Sequence, residues 1–153
     1  MNVRFRPFVQ ADLMTVRQHM PFSVAEGTRG FVAYDPDTAK TLGIFIAQEW
    51  TATAVQVHQV ILNPLVLRHG FYQEVSEFIF QKAGRQMMLA TVPSDNRKAL
   101  SINRKLGFRE VARIKDAFDF GRDMVIMQLR REDLPLRFWK AAELQELQEV
   151  VNG

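Results

Sequence analysis

The densest run of side chains able to do chemistry lies between Ser94 and Phe108: Ser94-Asp95-Asn96-Arg97-Lys98-Ala99-Leu100-Ser101-Ile102-Asn103-Arg104-Lys105-Leu106-Gly107-Phe108. With Arg109 it holds five cations (Arg97, Lys98, Arg104, Lys105, Arg109), and no acidic residue follows Asn96 until Glu110. Arg97 and Arg104 are seven positions apart, as are Lys98 and Lys105, so two helical turns align them in one cationic strip. The start of such a helix also offers unsatisfied N–H groups and the positive end of its dipole. The chemistry implied is anion binding; a solvated basic face is the plainer reading.

Acid–base chemistry has fewer candidates. His58 shares a strand face with Gln56, and an ordinary imidazole pKa of ~6.5 suits proton transfer near neutrality. A half-buried histidine satisfied by its neighbours fits equally well. Glu49 is a second candidate base, or simply a solvated strand end. Asp116, Asp119 and Asp123 form an acidic cluster that would attract a cationic amine. Turns collect aspartate anyway, which favours the plainer reading. His19, His58 and His69 lack metal-ligand spacing, so no metal is expected. The chain contains no cysteine, which removes a thiol nucleophile, a disulfide framework and a zinc ribbon together.

The elements that must position these groups follow from periodicity. Val3 and Phe5 alternate with Arg4 and Arg6 as a strand; Leu13, Val16 and Met20 recur at helical spacing until Pro21. Phe31 to Tyr34 and Leu42 to Ala47 read as a hairpin around Asp35-Pro36-Asp37-Thr38, and Ala54 to Leu62 as a third strand stopped by Asn63-Pro64. Phe71, Val75, Phe78 and Ile79 form the apolar stripe of a helix ending near Gly84. Met87 to Val92 reads as a strand covered on both faces. Asn96 is a helix cap, Ala99, Ile102, Asn103 and Leu106 a helical stripe, and Gly107 its left-handed close. Strands from Glu110 to Phe120 and Met124 to Arg130 complete the core, and Leu144, Leu147 and Val151 mark a short final helix.

The expected fold class is therefore α/β (α+β): one domain with a mixed central sheet of about six to seven strands flanked by helices, plus a short extra C-terminal helix. The strand-helix-strand unit over 54–92 should join parallel strands. At 153 residues the chain makes one core. It divides into a domain over 1–133 and a helical extension over 134–153 packed on it. A net charge of +3, from 20 Lys and Arg against 17 Asp and Glu, does not mark a nucleic-acid binder. No apolar run reaches the ~20 residues of a membrane span, and the first residues lack a signal peptide's apolar stretch. A reducing, cytoplasmic setting is expected, with no membrane partner.

Asn96-x-x-Ala99 followed by Lys105-Leu106-Gly107-Phe108 resembles the late motif of the GNAT superfamily of acyl-CoA-dependent N-acyltransferases. The element order over residues 2 to 131 is also similar to that fold, and short matches around His58, Ala90 to Pro93 and Asn96 look most like small phage-encoded members. The resemblance implies acetyl-CoA as co-substrate, inserted where two parallel strands splay apart. It implies transfer of the acetyl group to a primary amine, on a small molecule or a protein, by direct attack in a ternary complex. Pantetheine would pair with backbone near Val60, Ile61 and Leu62, with Asn96 and Asn103 nearby. Pyrophosphate would sit at Arg68, His69, Gly70 and Phe71, the counterpart of the family's glycine-rich loop. His58, then Glu49, would act as base, and a backbone N–H near Val60 to Leu62 would hold the oxyanion. Two departures stand out. Only Gly70 remains of the loop glycines, with bulky Phe71 and Tyr72 after it, and Asn103 occupies a position where many members carry a tyrosine that protonates the departing thiolate. These support the alternative of a degenerate, weakly active or inactive GNAT fold used as a binding or structural, phage-associated module. If phage-encoded, it would work in the host cytoplasm. The C-terminal helix could also serve as a homo-oligomer contact.

Overall fold

The computed structural model describes residues 1–140. The final helix expected around Leu144 to Val151, and any oligomer contact through it, lie outside the described residues. The strands are β1 (Arg4–Pro7), β2 (Arg29–Tyr34), β3 (Thr41–Gln48), β4 (Ala54–Ile61), β5 (Met87–Pro93), β6 (Arg109–Asp119) and β7 (Arg122–Arg130). The helices are α1 (Leu13–His19), α2 (Phe71–Ser76, prolonged by a π-helical turn over Glu77–Lys82) and α3 (Arg97–Leu106). The seven strands form one sheet in the order β1-β2-β3-β4-β5-β7-β6. Every neighbouring pair is antiparallel except β4 and β5, which are parallel. The mixed α/β architecture expected from the element order is the one observed.

Alternation along the strands divides the apolar side chains between two cores. On one face α1 and the loop after it bring Leu13, Val16 and Phe22 onto Val32, Ile44, Ile46 and Val60. On the other, α2 and α3 cover Phe45, Val55, Val57, Met88, Met127 and Leu129. The first helix is tied to the sheet by a two-pronged ion pair, with Arg6 donating at 2.7 and 2.9 Å to an Asp12 carboxylate that also accepts from the Val9 N–H at 2.9 Å. The Arg6 hydrogen bonds hold the Asp12 carboxyl below its ordinary range, against the opposing effect of burial. On the other side, Phe138 and Trp139 are buried, in ring contact with Tyr72 and Phe80 respectively. The segment from 134 to 139 therefore closes against α2.

Two elements differ from their sequence patterns. Of β5 only Met88 and Val92 are buried, although the strand reads as apolar throughout. α1 covers β2 to β4 and stops short of β5, so the second face of β5 stays open. β6 is exposed almost end to end, because it pairs with β7 alone at the sheet edge.

Candidate active site

β4 and β5 are hydrogen-bonded partners over only three positions, Ala54 with Met87, Val55 with Met88 and Gln56 with Leu89. Beyond these each strand follows its antiparallel neighbour: β4 stays with β3 as far as Ile61, and β5 stays with β7 as far as Pro93. The sheet opens into a wedge. Which main-chain groups face it follows from the ladder. The Leu62 N–H donates to the Leu42 carbonyl at 2.9 Å, so Leu62, Val60 and His58 turn their main chain toward β3. Val57, Gln59 and Ile61 then turn theirs toward β5; the Gln56–Leu89 pairing occupies the Val57 N–H, so Gln59 and Ile61 face the open gap while Val60 and Leu62 are engaged by β3.

A cavity of about 180 Å³ lies along the β4 edge of the wedge, walled by Gln59, Val60 and Ile61 of β4, by Asn96, which caps α3, by Lys98, Ala99 and Ile102 of α3, and by His19 and Met20 at the end of α1. On the α3 side it adjoins a groove of about 850 Å³ that shares Lys98 and Ile102 with it. That volume falls within the usual range of ligand pockets, ~300–1,000 Å³. Four cations, Arg68, Lys98, Lys105 and Arg137, line the groove, and no carboxylate among the described residues does. Two cations of the α3 strip therefore face a cleft. Arg97 and Arg104 are exposed, and Arg109 pairs with Asp133 at 3.4 Å.

The bulky residues after Gly70, Phe71 and Tyr72, are buried and do not line this groove. Gly70 takes a left-handed φ of 92° and turns the chain into α2. Phe71 then drops into the core between Phe31 and Tyr72, with ring centres 5.2 and 5.9 Å away. Gly43 makes that possible, since a Cβ there would come within 3.0 Å of the Phe71 ring. Arg68 lines the groove, and His69 is exposed at its end without being part of the wall.

Asn96 caps α3, its side-chain oxygen accepting from the Ala99 N–H at 3.2 Å, and the residue lines the cavity. Asn103 is buried and belongs to a polar chain that crosses the wedge. The Tyr72 hydroxyl donates to the Gln59 side-chain oxygen, the Gln59 amide donates to Asn103 Oδ1 at 2.7 Å, and Asn103 Nδ2 faces the Met127 sulfur at 3.7 Å. Burial pushes the Tyr72 phenol well above its ordinary range, with the hydrogen bond to Gln59 acting in the opposite sense.

On the α1 side, His58 is half-buried, edge-on to Phe22 at 5.3 Å. Its Nε2 lies 3.2 Å from the Gln48 amide nitrogen, and Gln48 is in turn bonded to Thr28 at 3.1 Å. An amide nitrogen only donates, so Nε2 is the acceptor and the proton of the neutral ring sits on Nδ1. Burial lowers the His58 pKa below its ordinary 6.5, which keeps the ring neutral at pH 7. Glu49 is elsewhere: exposed, with a left-handed φ of 56°, just past Gln48 where β4 and β5 are still paired. It is not brought to the wedge. The three aspartates serve their own hairpin, Asp116 accepting from the Gly121 N–H at 2.9 Å, Asp119 from Phe120 at 2.8 Å and Asp123 from Asp116 at 3.1 Å.

No protein-family model and no curated protein sequence matches this chain. Solved structures do. A spermidine/spermine N-acetyltransferase SpeG from Vibrio cholerae, crystallised with manganese ions, superposes with a TM-score of 0.69 at 14% identity, over 84% of this chain and 92% of that one. Glutamate-to-glutamine mutant forms of that enzyme give 0.70 at 14% identity, over 86% and 96%. A V. cholerae spermidine N-acetyltransferase in complex with CoA and spermine gives 0.64 at 15% identity, again over 86% and 96%. The chain has the GNAT fold. The sequence signals that the fold matches are structural: the Asn96 cap and the left-handed Gly107 that ends α3. Gln48, Gln59 and Tyr72 were not legible, because strand pairing and packing join them and no local spacing does. Parity could have flagged Gln59: it stands on the same strand face as Val55, Val57 and Ile61, the single polar residue in an apolar series.

Proposed function

We propose that this protein is an N-acetyltransferase that moves the acetyl group of acetyl-CoA to a primary amine. The observation that carries this reading is the wedge: a sheet opened between parallel strands, edged with the main chain of Gln59 and Ile61 and continuous with a cation-lined groove. The groove takes the anionic nucleotide along Arg68, Lys98, Lys105 and Arg137. The thioester arm lies in the gap, pairing with the β4 main chain as a strand would. Amide N–H groups directed at the gap then hold the oxygen that becomes negative as the carbonyl is attacked.

The amine arrives from the α1 side. Its nitrogen attacks the thioester carbon, the C–S bond breaks, and the CoA thiolate leaves and is protonated from solvent. The proton lost by the amine goes to His58 at Nε2, the ring's one lone pair, and the Gln48 amide turns its oxygen to accept from the new N–H. SpeG acts on spermidine and spermine. Here the hairpin carboxylates are committed to their own turn, so the reading stops at a primary amine and does not extend to a polycation. A chain with no membrane-crossing helix among its described residues and no cysteine suits a small-molecule or protein amine in a reducing compartment.

The test is CoA release from acetyl-CoA, followed with a thiol reagent across a panel of primary amines. The protein has no cysteine, so it adds no background. Amine-dependent release with mass-verified acetylation is the expected result. Binding of acetyl-CoA with no release for any amine would leave a binding module, and absence of binding would end the reading.

A further inference from the structure

The polar chain across the wedge has an orientation that its chemistry fixes. A phenol has one proton, and the Tyr72 hydroxyl donates it to Gln59 Oε1. Gln59 Nε2 is thereby turned toward α3, where one of its two N–H bonds goes to Asn103 Oδ1 at 2.7 Å. The second has no acceptor among the described residues, and Gln59 is a wall of the cavity at the β4 edge of the wedge. Tyr72 is fully buried and Asn103 nearly so, at 0% and 3% exposure, so the amide is gripped from both ends by groups that cannot move away. A half-used donor held rigidly at a water-accessible gap is a preorganised site for an oxygen acceptor.

We infer that Gln59 is a substrate-contacting residue whose free side-chain N–H donates to the thioester carbonyl oxygen, with Tyr72 and Asn103 as the residues that position it. This rests on the acetyltransferase reading above. The same contact strengthens as the carbonyl oxygen gains charge, so Gln59 serves both binding of the acetylated cofactor and the acylation step. It also accounts for an amide at Asn103: the position supplies an acceptor that aims Gln59, a task that a proton donor facing the gap would not perform.

Calorimetric titration with acetyl-CoA and, separately, with free CoA tests this on the full chain. Wild type should bind acetyl-CoA about fivefold more tightly than CoA, the worth of one added hydrogen bond. Gln59→Met keeps the side-chain length and removes the amide. The double variant Gln59→Met with Tyr72→Phe also removes the hydroxyl that would otherwise be stranded. Both should lose the preference for the acetylated form, so that the ratio of the two affinities falls to about one. Retention of the preference in a folded double variant, or equal binding of both ligands by wild type, overturns the role of Gln59 and leaves the acetyltransferase reading standing. Failure of wild type to bind either ligand overturns both.

Discussion

At the scale of single residues, His58 carries the sharpest expectations. A base with its pKa lowered below 6.5 by burial stays active into mildly acidic solution, so the acid limb of the pH–rate profile should fall below that value. His58→Gln should lower kcat about 100-fold or more and remove that limb, the usual scale for a lost general base. The same shift bears on stability. The folded state disfavours the imidazolium, so the contribution of His58 is complete above the unfolded pKa of ~6.5 and is lost as pH falls through it toward the lower folded value. Urea midpoints measured from pH 7.5 to 5 should decline less in His58→Gln than in wild type. The cations of the groove make a separate prediction. Lys98 and Lys105 face it from one side of α3, so Lys98→Ala and Lys105→Ala should each weaken CoA binding about tenfold in dilute buffer, and less as salt screens the charge. Arg104→Ala, on the solvent side, should not.

At the scale of elements, the motif that identifies the fold is largely structural punctuation. Asn96 caps α3, Leu106 and Phe108 are buried, and Gly107 closes the helix with a φ of 104°. Only glycine fits there, because a Cβ would stand 2.6 Å from the Asp133 carbonyl oxygen. Gly107→Ala should cost roughly 2 kcal/mol or more, combining left-handed strain with that clash. Chemical denaturation measures it directly. Such local signals were readable from the chain: caps, a terminal glycine, alternation in β4, the apolar stripe of α2. What could not be read were features set by partners. β5 looked covered on both faces because its run is apolar, yet coverage depends on where α1 ends. Phe71 and Tyr72 looked like obstructions, and they are core residues because Gly43, 28 positions earlier, leaves room for one of them. Glu49 looked like a second base by its strand-end position, but the register of β3 on β4 sets it at the closed end of the sheet.

At the scale of the whole molecule, one opening in a sheet organises everything else. β3 and β7 draw β4 and β5 apart, α3 lays its cations beside the gap, and α1 ends on the opposite face. His58 and Gln59 are adjacent in β4 and therefore face opposite sides, His58 toward Gln48 and Phe22 and Gln59 toward Tyr72 and Asn103. The two halves of an acyl transfer can thus be handled by a single strand. The most direct test is an amide-resolved NMR titration with acetyl-CoA. The largest N–H shifts should fall on Gln59 and Ile61, whose main chain faces the gap, with Val60 and Leu62, bonded to β3, moving far less. Shifts confined to surface residues outside β4 and α3, or none at millimolar ligand, would contradict the wedge as the acyl-CoA site.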